Sequence, residues 1–181
     1  MFSLAFQESL IRPTILNMLK LGIVRHAKSS WNHPDLNDHD RPLNKRGERD
    51  APIMAQKVKD LFGVPDLLLS SSANRAFTTA SVFKEVMNTE GLVLNTSGSL
   101  YHASEQDILD RIAMIDPDVK SALIFGHNPG VTYLVNSFKG DFIDNVPTCG
   151  VIILESEAKA WMELDQSNTK RVSFIYPKMY V

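Results

Sequence analysis

Four side chains suited to phosphoryl chemistry stand just behind short apolar runs. Arg25 and His26 follow Gly22-Ile23-Val24, Arg75 lies in Ser70-Ser71-Ser72-Ala73-Asn74-Arg75-Ala76 behind Leu67-Leu68-Leu69, and His127 follows Leu123-Ile124-Phe125-Gly126. A guanidinium can clamp phosphate with a planar fork, and a neutral imidazole can attack phosphorus. Phosphoryl transfer asks for in-line positioning and positive charge around three equatorial oxygens. Two arginines and two histidines can supply both without a metal. The attacking nitrogen of His26 must be unprotonated, so its other ring nitrogen is expected to donate to a backbone carbonyl. His127 is expected to work as an imidazolium, the form that a nearby phosphate favours.

Such residues converge only if the runs before them are neighbouring strands, because open α/β sheets bind ligands at the carboxyl ends of their parallel strands. Strands are expected over 20–25, 66–70, 92–96, 121–125, 148–154 and 171–176, and helices over 45–62, 73–87, 105–115 and 129–138. This alternation predicts a three-layer α/β/α sandwich with a mainly parallel sheet and an antiparallel edge strand. Asn128 ahead of Pro129 reads as an N-cap with proline at the first helical position. Pro52 sits awkwardly inside the first helix, which either starts near Asp50 or is kinked. The polar stretch 29–44 is expected to be a long loop.

The chain has 181 residues, with 44% hydrophobic and 22% charged, which fits a soluble domain over 18–181 preceded by an arm, helical or disordered, over 1–17. A net charge of −2 gives no reason to expect nucleic acid or a membrane surface as partner. No apolar stretch reaches the roughly 18 residues of a membrane helix, and residues 1–17 lack the pattern of a secretory signal. The single cysteine, Cys149, fits a reducing, cytoplasmic setting and reads as a small core residue. His33 and His39 share the polar loop with several aspartates, at a spacing that matches no metal-ligand motif. Neither metal nor cofactor is expected. Arg41 and Arg46 read as surface or rim residues.

The motifs also resemble those of a known group. Arg25-His26-Ala27-Lys28-Ser29-Ser30-Trp31-Asn32, Arg41-Pro42-Leu43-Asn44-Lys45-Arg46-Gly47, Ser71–Ala76 with Thr79-Ala80, Leu100-Tyr101-His102-Ala103 and Gly126-His127-Asn128-Pro129-Gly130 occur in the order seen in the histidine phosphatase (phosphoglycerate mutase-like) superfamily. They look most like its small SixA-type phosphohistidine phosphatase branch, in which Ala-Lys often stands where larger relatives have Gly-Glu after the Arg-His pair.

The resemblance implies that His26 accepts the phosphoryl group, that Arg25 and Arg75 bind its oxygens, and that His127 completes the pocket. It places Asn32 where the family has a phosphate-contacting asparagine, and Ser29 is a further candidate donor. Larger relatives protonate the leaving group with a glutamate after the third strand; here Glu105 and His102 fall in that region. Glu105 would equally serve as a first-turn acid behind an N-cap at Ser104. An imidazole leaving group needs little such help, since its pKa of about 6.5 lies far below that of an alcohol. The expected activity is therefore hydrolysis of a phosphomonoester or phosphoramidate through a phosphohistidine on His26. The partner is expected to be a phosphorylated protein, for instance a histidine phosphotransfer domain, or a small phosphorylated substrate. A sugar or nucleotide phosphatase and a non-catalytic phosphate-binding module are the alternatives.

Overall fold

A computed structural model of the chain describes residues 18–181; the arm expected over 1–17 lies outside them. The elements are β1 (Leu19–Arg25), α1 (Lys45–Phe62), β2 (Leu67–Ser71), α2 (Asn74–Met87), β3 (Val93–Ser97), α3 (Glu105–Ala113), β4 (Ser121–Gly126), α4 (Gly130–Ser137), β5 (Val151–Ser156) and β6 (Thr169–Ile175). The six strands form one sheet in the order β3-β2-β4-β1-β5-β6. β1, β2, β3 and β4 run parallel, and β5 runs against both β1 and β6. The fold is the expected α/β class, with one detail changed. The reversed strand is β5, one in from the edge; β6 turns back and so runs with the parallel set.

Side chains alternate across the strands and feed two cores, as the period of two in an extended chain requires. Leu19, Leu21 and Ile23 of β1, Leu67 and Leu69 of β2, and Ala122 and Ile124 of β4 pack with Ile108 and Ile112 of α3 and Leu134 and Val135 of α4. Val24, Leu68, Leu123 and Phe125 point the other way, onto Met54, Val58 and Phe62 of α1 and Phe83 and Met87 of α2. Strands covered on both faces must be apolar throughout, which is why β2 and β4 read as continuous hydrophobic runs. Phe83 meets Phe125 edge-on at 5.1 Å, tying α2 to the centre of the sheet. Each such fully buried side chain contributes about 1.5–3 kcal/mol.

The first helix starts where expected and the fourth does not. α1 begins at Lys45, where Asn44 Oδ1 accepts from the Gly47 amide; Asp50 is buried one turn further on, paired with Arg49, and the helix runs through Pro52. α4 begins at Gly130 with Pro129, not Asn128, at the cap position and so has no side-chain cap; the Asn128 amide group donates to Asn145 Oδ1 and the Val146 carbonyl. Among the described residues no helix is long and apolar enough to cross a membrane.

Candidate active site

β2, β4 and β1 are consecutive in the sheet and end level: Ser70 pairs with Phe125, and Arg25 with Gly126. Their carboxyl ends therefore deliver Ser71 and the start of α2, then His127, then Arg25 and His26, to one edge. His26 and His127 stand with ring centroids 4.9 Å apart, and both are buried. Cys149, with φ of +58°, donates its backbone N–H to the carbonyls of both Arg25 and His26 and clamps the end of β1 from below.

His26 Nδ1 lies 2.7 Å from the Ala27 carbonyl oxygen. A carbonyl only accepts, so Nδ1 carries the proton and the lone pair is on Nε2. Arg75 Nε donates to that Nε2 at 3.3 Å. Burial is the main force lowering the His26 pKa to about 3. The Ala27 bond pushes it back, and the charges of Arg75, Arg25 and Arg41 lower it further. The ring is thus neutral and nucleophilic across the ordinary pH range.

His127 Nε2 is 2.8 Å from Ser71 Oγ, which itself accepts from the Ala73 amide at 3.3 Å. The serine hydroxyl keeps both its proton and a second lone pair, so it can donate to Nε2 or accept from it according to the ring tautomer. Nδ1 of His127 is buried with no partner in the protein. Burial first, then His26, Arg75 and His102, lower the pKa of His127 to about 2, with Asp38 opposing. Burial thus opposes the imidazolium expected from sequence, a form that depends on phosphate beside the ring; the buried, unpartnered Nδ1 is the polar atom His127 can turn toward an anion.

Arg25 leaves the end of β1 half-buried, with Nη1 on the Val146 carbonyl at 2.6 Å and on Asn145 Oδ1 at 3.3 Å; its Nε has no partner. Burial lowers its pKa. Arg75 is buried and uses its outer nitrogens on Asp38: Nη2 reaches the carboxylate at 2.9 Å and Nη1 the backbone carbonyl.

Three candidates fall elsewhere. Glu105 sits in the first turn of α3 behind a Ser104–Asp107 capping box. It lines a hollow of about 340 Å³ with Thr132, Tyr133 and Asn136, a lining that includes neither His26 nor His127. The structure shows Glu105 in the first-turn position that sequence offers as its other reading. Asn32 lines a different depression with Leu43, Asn44 and Lys45. Ser29 is buried, and its hydroxyl accepts from Arg41 Nη2 at 2.7 Å, which makes it a support for that arginine.

Other residues join the site in roles not read from sequence, among them Arg41 and His102, whose sequence readings are a rim residue and a candidate acid. Asp38, in a one-turn 3-10 helix over Asp38–Asp40, accepts from Arg41 Nη1 at 2.7 Å, Arg75 Nη2 at 2.9 Å and Tyr101 Oη at 2.9 Å. Burial would raise its carboxyl, but these three bonds and the charge of Arg75 outweigh that and hold it well below the usual carboxylate range. Arg41 is buried, not a rim residue; it also binds the Ser30 carbonyl and stacks on Trp31, 3.2 Å from the ring centre. His102, with φ of +53°, lies with its ring 4.1 Å from that of Tyr101 and its Nε2 3.5 Å from Asp38. The only local signal was the Asp38–Arg41 spacing, which every surface turn can show. Among the described residues no group of three or more His, Cys, Asp or Glu is placed to hold a metal ion.

Comparison with known proteins gives the same class. Residues 21–96 match the model of the histidine phosphatase superfamily (branch 1). An uncharacterised chloroplastic protein of Arabidopsis thaliana is 32% identical over 154 residues, covering 80% of this chain and 69% of that protein. The chain belongs to the histidine phosphatase superfamily. Within it, the structure is of the SixA type: the assigned phosphohistidine phosphatase SixA of Agrobacterium tumefaciens superposes with a TM-score of 0.73 at 28% identity, over 88% of this chain and 98% of that one. The protein histidine phosphatase SixA in complex with tungstate has the same fold, with a TM-score of 0.74 at 20% identity over 90% and 100% of the two chains. Family and neighbours support phosphatase activity.

Proposed function

We propose that the chain is a metal-independent phosphohistidine phosphatase acting through a covalent phosphohistidine on His26. One observation carries this reading: His26 Nε2 keeps its lone pair because Nδ1 is bound to the Ala27 carbonyl, and Arg75 Nε and the buried His127 ring stand beside it. A tetrahedral oxyanion at that point would meet the free hydrogens of Arg75 and the unpartnered Nδ1 of His127. That SixA neighbours include a tungstate complex supports an oxyanion in this pocket.

The chemistry runs in two steps. Nε2 of His26 attacks phosphorus, and the bond to the leaving group breaks with its electron pair staying on the leaving atom. Water then attacks the phosphorylated His26, the N–P bond returns its pair to Nε2, and phosphate departs with the water protons. The Nδ1–H bond to Ala27 persists throughout and stabilises the ring while both its nitrogens are substituted. Arginine forks around the equatorial oxygens do the electrostatic work. Among the described residues no carboxylate is hydrogen-bonded to His26; Asp38 reaches it only through Arg75. That favours a leaving group that departs unaided, as imidazole does.

The test is a phosphoenzyme assay. Incubation with a histidine-phosphorylated phosphotransfer domain, quenched in base, should leave an acid-labile phosphate on the wild-type chain and none on His26→Ala. Hydrolysis should persist in EDTA. A wild-type chain that never becomes labelled and releases no phosphate would overturn the reading, and loss of activity on chelation would overturn its metal independence.

A further inference from the structure

At the mouth of the site a carboxylate is held where positive charge would be expected to dominate. Asp38 stands one guanidinium's width from the nucleophile: Arg75 touches His26 Nε2 with Nε and Asp38 Oδ2 with Nη2. His26 is 7% exposed and forms the floor, whereas the Asp38 side chain is 38% exposed. In-line displacement sends the leaving group away from the floor, past Asp38, Tyr101 and His102. The rings of Tyr101, His102 and His39 cluster there, 4.1 and 5.0 Å apart around Tyr101. The wall is thus aromatic, with the Asp38 carboxylate on Tyr101 and the Asp40 carboxylate 3.1 Å from His39 Nδ1, a setting that suits a flat cation.

Arg75 and Arg41 both pair with Asp38. A bound phosphoryl group draws on Arg75 and sets its own negative charge beside the carboxylate. A leaving group that brings a proton on a ring nitrogen relieves this crowding; one that brings another carboxylate worsens it. Resting on the activity proposed above, we infer that Asp38 selects the leaving group, receiving the protonated second nitrogen of a phosphorylated imidazole and turning away substrates whose leaving group is anionic. The atoms balance without a general acid. Nε2 of His26 forms its bond to phosphorus, the substrate N–P bond breaks, and the pair remains on the substrate nitrogen. The proton already on the other nitrogen lets the imidazole leave neutral.

The experiment measures kcat/KM of the full chain and of Asp38→Asn with N-phosphoimidazole, para-nitrophenyl phosphate and phosphoglycolate. Loss of the charge should lower the value for N-phosphoimidazole by on the order of tenfold or more, and leave unchanged or raise that for phosphoglycolate. Asp38→Glu, which keeps the charge, should keep the wild-type order of substrates. Thermal melts confirm that each variant is folded. An equal drop on all three substrates would reduce Asp38 to a positioner of Arg75 and overturn the inference, as would unchanged ratios. If wild-type protein consumes para-nitrophenyl phosphate but leaves N-phosphoimidazole intact, the phosphohistidine reading itself falls, and the selector with it.

Discussion

Arg75 Nε lies 3.3 Å from His26 Nε2, so the arginine that would bind the transferred group already touches the atom that would attack it. The contact aligns the fork with the line of attack before substrate arrives. Arg75→Ala should lower kcat by on the order of 10² or more. Arg75→Lys should recover little, since an ammonium cannot hold His26 and two phosphoryl oxygens with one planar group. Turnover of para-nitrophenyl phosphate measures both, and a near-normal rate in either would remove Arg75 from the pocket.

The buried histidines make the fold acid-sensitive. Their folded pKa values, about 3 for His26 and about 2 for His127, lie below the ordinary 6.5. Between these limits the unfolded chain binds more protons than the folded one, so stability must fall as pH falls. The slope is up to about 1.4 kcal/mol per pH unit for each ring. Asp38, also held below its ordinary value, adds a loss of the same sign once the pH drops below that value. Urea midpoints from pH 7.5 to 4.5 should decline, and His127→Gln should flatten the decline. A flat profile in the wild type would mean that the two rings are not buried neutral.

Ser71 should set the tautomer of His127. The hydroxyl of Ser71 accepts from the Ala73 amide and lies 2.8 Å from His127 Nε2, and it is expected to donate its proton to that nitrogen. Ser71→Ala removes that donor and leaves Nε2 unsatisfied in a buried place, at a cost of about 1–3 kcal/mol. Vanadate affinity should fall roughly tenfold. Nitrogen NMR should show Nδ1–H on His127 in the wild type. An Nε2–H ring there would contradict the assignment outright.

Much of this was legible in the chain because period and composition act locally. The helix over 45–62 came out with its observed bounds, since an amphipathic face and the Gly63 stop both lie in sequence. The three strand-to-helix junctions were visible as apolar runs followed by Arg or His, and the parallel sheet brings their ends together. The role of Asp38, and the burial of Arg41 that sequence reads as a surface or rim residue, were not visible, because nothing local distinguishes an aspartate in a polar loop from one that bridges two buried arginines. Asp38's role depends on contact with Arg75, Tyr101 and Arg41, two of them far along the chain. Glu105 shows how one position supports two readings: its place after the third strand suits an acid, and its place behind the Ser104–Asp107 capping box suits an ordinary first-turn residue, lining a hollow without His26 or His127.

Gly47 supports the nucleophile from outside the site. A Cβ there would lie 2.3 Å from the Lys28 carbonyl oxygen and 3.0 Å from the Lys28 nitrogen. That carbonyl accepts from the Asn44 amide at 2.9 Å and fixes the backbone just after Ala27, whose own carbonyl holds the His26 proton. Gly47→Ala must therefore move backbone, not a flexible side-chain end, and should cost about 1–3 kcal/mol. That corresponds to a fall in melting temperature of roughly 2–4 °C for each kcal/mol. Because the displaced peptide adjoins the His26 support, kcat should drop more than the melt alone explains, by roughly tenfold at a temperature where the variant is fully folded. If the variant melts lower yet turns over para-nitrophenyl phosphate at the wild-type rate, the Ala27–Lys28 backbone does not govern the aim of His26.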